Sequence, residues 1–303
     1  MLSDDLTIVL TAGLVATAAG LLGPFLVLRR VALLSDAVSH AVLPGIVAVF
    51  LLLGTRAPLP VIVGAAAFAV ICVLAIDALR ATGLVASDAA IGLVFPALFA
   101  LGVLGVTKWA SGAHIDLDAT IYGEIAFAPF TTVDVLGFEV ARSIVVLGAV
   151  ALGNAALIAL LWKELKVTTF DPEFARAIGV SPRLLSRLLL IAVAVTAVTA
   201  FESVGAILVV TLLIVPAATA SLLTERLWAM VAVTLAIGWA AAIVGYAGAL
   251  RADASIAGAM GLVAAGCFAL ALLLSPRHGL LARALRRRRR RRAMAAALAA
   301  ARR

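Results

Sequence analysis

The sequence predicts an all-α polytopic membrane protein with about nine membrane-spanning helices. Hydrophobic residues make up 65% of its 303 residues, and charged residues only 13%. The hydrophobic share is well above that of soluble domains, in which about 45–50% of residues are apolar. The mean hydropathy of the chain is +1.20. Aromatic residues contribute only 6%, so the apolar content is mostly small and aliphatic, which suits close helix packing in lipid.

Apolar segments long enough to cross a membrane recur along the chain, since each crossing takes about 20 residues. We place the spans at 6–28, 37–54, 59–79, 84–107, 137–161, 184–201, 205–222, 228–249 and 256–274. The first follows an acidic N-terminus without the basic region of a cleaved signal, which predicts a retained span. The stretch from Arg187 to Leu223 is too long for one crossing, so we divide it at Glu202–Gly205. The count falls to eight if one segment is re-entrant.

Basic residues predict the orientation of these spans. With the C-terminus in the cytoplasm and the N-terminus outside, most Lys and Arg residues lie on the cytoplasmic side, as the positive-inside rule requires. These are Arg29, Arg30, Arg80, Lys163, Lys166, Arg176, Arg183, Arg187, Arg226 and all those from Arg277 onward. The exceptions are Arg56, Lys108, Arg142 and Arg251.

The chain divides into a transmembrane domain, 1–280, and an Arg-rich cytoplasmic tail, 281–303, which we predict to be disordered. The tail contains an unbroken run of arginines: Arg286, Arg287, Arg288, Arg289, Arg290, Arg291 and Arg292. A basic cluster next to a span is expected to contact anionic lipid headgroups. Nucleic-acid binding is disfavoured, because no aromatic or folded reading surface accompanies the run. Cys72 and Cys267 lie in apolar segments, which predicts two buried thiols without a disulfide.

A carboxylate and an imidazole stand four residues apart at the start of the second span. On a helix, Asp36 and His40 share one face, and Ser35 and Ser39 repeat that spacing. Ionisable groups at membrane depth are costly and usually face an interior or a water-filled path. One oxygen and one nitrogen ligand suit a borderline divalent metal. The alternatives are a helix cap at Asp36 and a packing role for His40.

The polar interval between the fifth and sixth spans predicts a short cytoplasmic helix. Asp171 is a helix cap, Pro172 occupies the first helical position and Gly179 ends the helix, while Glu173 complements the helix N-terminus. The segment of interest comprises Phe170, Asp171, Pro172, Glu173, Phe174, Ala175, Ile178 and Gly179. Phe170, Phe174 and Ile178 form an apolar stripe that would be exposed unless a partner docks there. A plain surface connector is the alternative.

The external interval near Lys108–Thr132 carries His114, Asp116, Asp118 and Glu124. Their spacing matches no metal-binding template. We therefore predict a solvated acidic loop that faces a partner.

These motifs together resemble one family. The chain is similar to the membrane permease subunit of bacterial ATP-binding-cassette importers of manganese, zinc or iron, the ABC-3 metal permease family. The resemblance extends almost end to end, and it is most specific at Ser35–Gly45 and at Phe170–Gly179. Further matches are Gly20–Arg30, Ala90–Gly92, Ile121–Glu124, Trp162–Leu165, Val204–Leu208, Leu213–Ala218 and Pro276–Gly279.

The resemblance implies a transport subunit of the bacterial inner membrane rather than an enzyme. It implies that Asp36 and His40 lie on the translocation path, and that Phe170–Gly179 is the coupling helix seated on a separate ATPase subunit. The partners implied are that ATPase, an extracytoplasmic metal-binding protein and a second permease copy, identical or paralogous. The metal is cargo, and no tightly bound cofactor is implied. Glu202, Glu139 and Arg142 are less typical and receive no role.

The sequence itself supports a need for an ATPase partner. Its only lysines are Lys108, Lys163 and Lys166, and none lies in a phosphate-binding P-loop. One alternative is a secondary metal transporter or channel, with Asp36 and His40 as an ion relay. Another is a permease for metal chelates such as cobalamin or siderophores. The choice among manganese, zinc and iron stays open, because their ligand preferences overlap.

Overall fold

The computed structural model describes residues 3–31, 37, 41–55, 58–109, 125–135, 137–275 and 279. The helices in these ranges are α1 (Asp4–Leu28), α2 (Val42–Leu53), α3 (Pro58–Ala81), α4 (Ser87–Trp109), α5 (Arg142–Leu160), α6 (Trp162–Phe170), α7 (Pro172–Ala177), α8 (Pro182–Val204), α9 (Ala206–Leu223), α10 (Leu227–Ala252) and α11 (Ile256–Leu274). Eight of them are long and apolar enough to cross a membrane, and α2 is a shorter apolar helix. This confirms the predicted all-α membrane fold.

The long apolar stretch is broken where the sequence predicts. Helix α8 ends at Val204 and α9 begins at Ala206. Gly205 between them has a φ of 79°, a backbone conformation that glycine adopts without the steric cost of a Cβ. Its amide donates to the carbonyl of Phe201 over 3.0 Å, which closes the last turn of α8.

The predicted start of the fifth span at 137 is wrong. Phe138–Ala141 forms strand β2, which pairs antiparallel with β1, Thr132–Val135, after a 3-10 helix at Ile125–Phe130. Gly137 has a φ of 85°, and its amide donates to Oδ1 of Asp134 over 2.9 Å. This turn returns the chain along β1, so α5 begins only at Arg142.

Helix α1 is the centre of the larger helix group. It packs against α5, α8, α9 and α10. The approach is close: a Cβ added at Gly23 would lie 2.3 Å from the carbonyl oxygen of Leu213, and one at Gly13 would lie 2.4 Å from the ring of Trp239. Helices α2, α3 and α4 pack together as a second group, which is joined to the first through the contact between α3 and α8.

Buried side-chain hydrogen bonds hold the larger group together. Asn154 of α5 donates from Nδ2 to the carbonyl of Ala18 over 3.0 Å and to Oγ1 of Thr196 over 2.8 Å. Nearer the start of α5, the hydroxyls of Thr11 and Ser143 lie 3.0 Å apart. Buried polar groups of this kind fix helix positions, because lipid offers them no alternative partner.

The two cysteines differ in environment. Both are free thiols, as the sequence predicts. Cys72 in α3 is buried, whereas Cys267 in α11 is partly exposed, so the expectation of two buried thiols is wrong for Cys267. Free cysteine behaves as a small hydrophobic side chain, so partial exposure on an apolar helix carries little cost.

The helix ends form two differently charged surfaces. We call the first the basic end; it contains the C-termini of α1 and α3, helices α6 and α7, and the N-terminus of α8. Its basic residues include Arg29, Arg80, Lys163, Lys166, Arg176, Arg183 and Arg187. The opposite end contains the N-terminus of α1, the 3-10 helix and the hairpin, with acidic residues Asp4, Asp5, Asp134, Glu139 and Asp253.

Candidate functional site

Asp36 and His40, predicted to line the path, lie outside the described residues, as do Arg286–Arg292 and the acidic residues of the external loop. The neighbours of the pair are described. Ala37 and Ala41 are buried, and the carbonyl of Ala37 lies 4.0 Å from Sγ of Cys72 in α3. In the part of the chain that the structure describes, no group of three or more His, Cys, Asp or Glu residues could hold a metal ion.

Helix α2, which follows this pair, lies in a slot lined by glycines. A Cβ added at Gly45 would lie 2.5 Å from the carbonyl oxygen of Gly64 in α3. On the other side, a Cβ at Gly102 of α4 would lie 2.9 Å from the backbone nitrogen of Pro44, and one at Gly105 would lie 2.7 Å from Val47. Backbone therefore meets backbone at Gly45 and Gly64, while the side chains of Val49 and Val47 pack over Gly64 of α3 and Gly105 of α4.

The predicted cytoplasmic helix is present as α7. Oδ1 of Asp171 accepts a hydrogen bond from the amide of Phe174 over 2.9 Å, and Pro172 occupies the first turn. Gly179 has a φ of 84°, and the amide of Val180 then donates to the carbonyl of Ala175 over 2.9 Å. The cap, the proline and the glycine stop all act as the sequence predicts.

One face of α7 is anchored and the other is open. Ala175 is fully buried, whereas Phe170, Phe174 and Ile178 are 57%, 54% and 53% exposed. Only Phe174 lies within α7; Phe170 ends α6, Asp171 between them has a non-helical backbone, and Ile178 caps α7. The prediction of one continuous helical stripe is therefore wrong, and the feature is a group of three exposed apolar side chains at and beside α7. We call this group the α7 patch.

A basic cleft of about 570 Å³ adjoins the α7 patch. Its lining residues are Arg176, Gly179, Val180, Ser181, Pro182 and Arg183. Ser181 caps α8, since its hydroxyl accepts from the amide of Leu184. Apolar and basic surfaces therefore lie side by side at the basic end, around α7 and the first residues of α8.

Two contacts tie the region of α7 to the transmembrane helices, and sequence reasoning predicted neither. The guanidinium of Arg29, at the end of α1, donates from Nε to Oγ1 of Thr169 over 3.0 Å and from Nη2 to Oγ1 of Thr168 over 2.9 Å. Burial lowers the pKa of Arg29 from its ordinary value, yet a guanidinium stays charged at neutral pH. No pattern signals this contact, because about 140 residues separate its members.

The second contact joins α8 to α3. Nε of Arg187 lies 2.8 Å from Oδ2 of Asp77, and both side chains are partly solvent-exposed. The sequence contains one signal for this pair: Asp77 and Arg187 have opposite charges and lie near the predicted cytoplasmic ends of two spans.

Comparison with known proteins identifies the family of this chain. The model of the ABC 3 transport family matches residues 6–275. The chain is 48% identical over 278 residues to the zinc transport system membrane protein TroD of Treponema pallidum, covering 92% of this chain and 76% of that one. It is 40% identical over 286 residues to the manganese transport system membrane protein MntD of Bacillus subtilis, covering 94% and 97%.

A solved structure agrees with these relatives. The chain matches PsaBC from Streptococcus pneumoniae, solved in complex with a Fab, with a TM-score of 0.74 and 29% sequence identity. The match covers 90% of this chain and 92% of the other. The chain therefore belongs to the ABC 3 transport family, as a membrane-spanning transport subunit rather than an enzyme.

Proposed function

We propose that this chain is the permease of an ATP-driven importer of a divalent transition metal, either manganese, zinc or iron. The observation that carries the proposal is the α7 patch beside a basic cleft, in a chain whose relatives are named for zinc and manganese transport. An exposed apolar surface that lies outside the membrane-length helices calls for a protein partner.

That partner is a separate ATPase subunit. Phe170, Phe174 and Ile178 supply an apolar contact, and Arg176 and Arg183 beside them complement acidic groups on the opposing surface. In this arrangement the basic end faces the cytoplasm and the N-terminus lies outside, which places the positive residues as the membrane rule requires. A metal-binding protein delivers the ion at the opposite end.

Asp36 and His40 form the transient metal site on the path. Two permease copies would bring two such pairs together and supply up to four oxygen and nitrogen ligands. Four ligands suffice for a divalent transition metal. Passage requires that the ion also leaves, so the site must bind it only weakly.

Metal uptake by cells that lack the endogenous importer tests the substrate and the path. The wild-type chain, expressed with its ATPase and binding protein, restores uptake of radioactive manganese, zinc or iron under limitation of that metal. His40→Ala removes a nitrogen ligand and abolishes uptake, although the protein still inserts in the membrane. Asp36→Asn keeps the size and hydrogen bonding of the side chain but removes its charge. Uptake near the wild-type level in Asp36→Asn favours a helix cap, and normal uptake in His40→Ala removes that residue from the path.

Co-purification tests the ATPase contact. Phe174→Asp places a charge in a desolvated apolar contact at a cost of several kcal/mol, so it dissociates the ATPase or abolishes transport-linked hydrolysis. Phe174→Leu keeps the apolar contact and serves as the matched control. If Phe174→Asp retains both properties at the wild-type level, α7 is only a connector.

A further inference from the structure

We propose that Arg29 is a positioning residue that transmits the movement of α7 to the central helix α1. This inference rests on the proposed function, because α7 moves only if an ATPase acts on it. The structural basis is the pair of hydrogen bonds from one guanidinium to Thr168 and Thr169. We call these three residues the Arg29 clamp.

Both threonine hydroxyls of the clamp have their hydrogens committed elsewhere. Thr168 donates to the carbonyl of Glu164 over 2.8 Å, and Thr169 donates to the carbonyl of Leu165 over 2.6 Å. Each oxygen is thereby left as an acceptor for Arg29. The planar guanidinium meets two adjacent acceptors at once, a geometry that the ammonium of lysine does not reproduce.

A second contact fixes the other end of α6. The rings of Phe25 in α1 and Trp162 in α6 meet edge to face, with 6.3 Å between their centroids. Since α6 has only nine residues, contacts at Trp162 and at Thr168 and Thr169 connect both of its ends to α1. Helix α1 packs in turn against α5, α8, α9 and α10.

The position of α7 in the chain makes the clamp a transmission point. Thr169 lies two residues before Asp171, the cap of α7, so a displacement of α7 acts on the clamp through almost no intervening chain. On its far side α7 leads into α8, where Arg187 binds Asp77 of α3. The clamp therefore transmits a displacement of α7 to the larger helix group around α1. The Arg187 contact transmits it to the second group, which contains α2.

The experiment measures metal transported per ATP hydrolysed, in proteoliposomes that contain the permease, its ATPase and the loaded binding protein. The variants are Arg29→Lys, the pair Thr168→Val with Thr169→Val, and all three changes together. Arg30→Lys is the matched control, because Arg30 is the next residue and is exposed. Co-purification of the ATPase and hydrolysis without binding protein are measured in parallel.

We expect each clamp variant to keep the ATPase bound and to hydrolyse ATP at the basal rate, while metal transported per ATP falls about tenfold. A hydrogen bond to a charged group contributes at least such a factor. The triple variant should be no worse than Arg29→Lys, because both changes remove the same bonds. Arg30→Lys should keep the wild-type ratio.

Three results would overturn the inference. They are an unchanged ratio in the clamp variants, losses that multiply in the triple variant, and a parallel fall of transport and hydrolysis that leaves the ratio intact. Failure of the proposed function looks different, since the wild-type complex itself would then take up no metal.

Discussion

Replacing Gly45 by alanine tests the glycine slot around α2 with a single methyl group. Its Cβ would lie 2.5 Å from the oxygen of Gly64, 2.7 Å from Cα of Ala65 and 2.8 Å from the carbonyl carbon of Gly64. All three atoms belong to the backbone of α3, so no side-chain rotation can relieve the overlap. Ordinary contact begins near 3.4 Å, and the two helices must therefore separate by roughly 0.9 Å. Overpacking of this kind costs about 1–3 kcal/mol.

The same substitution at Gly92 in α4 has the opposite expected sign. A Cβ there meets nothing within 4 Å, and alanine is a better helix former than glycine by about 1 kcal/mol. Gly92→Ala should thus leave stability unchanged or raise it, whereas Gly45→Ala should lower it. Helix propensity alone would predict a gain at both positions.

Thermal unfolding in detergent, followed by reaction of buried Cys72 with a thiol dye, measures both variants in a Cys267→Ala background, which removes the partly exposed second thiol. Cys72 lies in α3, so it reports directly on the helix that Gly45 contacts. Gly45→Ala should expose the thiol at a lower temperature than the wild type and should impair metal uptake. An unfolding temperature equal to that of the wild type, with normal uptake, would refute the close approach of α2 and α3.

Two further substitutions test the contacts between helices. Asn154→Ala removes the bridge from α5 to α1 and α8 and should cost about 0.6–1.7 kcal/mol in thermal unfolding; Thr211→Ala, which breaks a bond within its own helix, should cost less. Equal losses would contradict the bridge. Asp77→Asn weakens the partly exposed pair with Arg187 and should cost less than about 1 kcal/mol. Its difference from the wild type should shrink at high salt, and a salt-independent difference would show that packing rather than charge is lost.

Local patterns were sufficient to predict much of the fold. The stretch from Arg187 to Leu223 exceeds one bilayer crossing, and the break at Gly205 follows from that length and the polar residues beside it. Helix α7 follows from the order of cap, proline and glycine stop. Such features depend on a few neighbouring residues, so their chemistry is visible in the sequence.

Features that depend on distant partners were not predictable. The strand at Phe138–Ala141 exists because it pairs with Thr132–Val135. Only Arg142 and Ser143 separate it from the apolar run of α5, so the sequence shows no clear boundary between the two elements. The Arg29 clamp joins residues about 140 positions apart, and a contact over that distance produces no periodic pattern in the sequence. In the site, the helical form and exposure of α7 were predictable, but its attachment to α1 was not.

The central position of α1 has a consequence for biosynthesis. Helix α1 leaves the ribosome well before the helices that surround it, because α5, α8, α9 and α10 all begin at Arg142 or later. Helices α2, α3 and α4 pack mainly on one another, so they can assemble as soon as they are inserted. Until α5 and α6 arrive, α1 lacks the partners that it has in the folded protein, Ser143 for Thr11 and the two threonines of the clamp for Arg29. The nascent protein thus assembles out of chain order, because α1 is enclosed only after α2, α3 and α4 have been inserted.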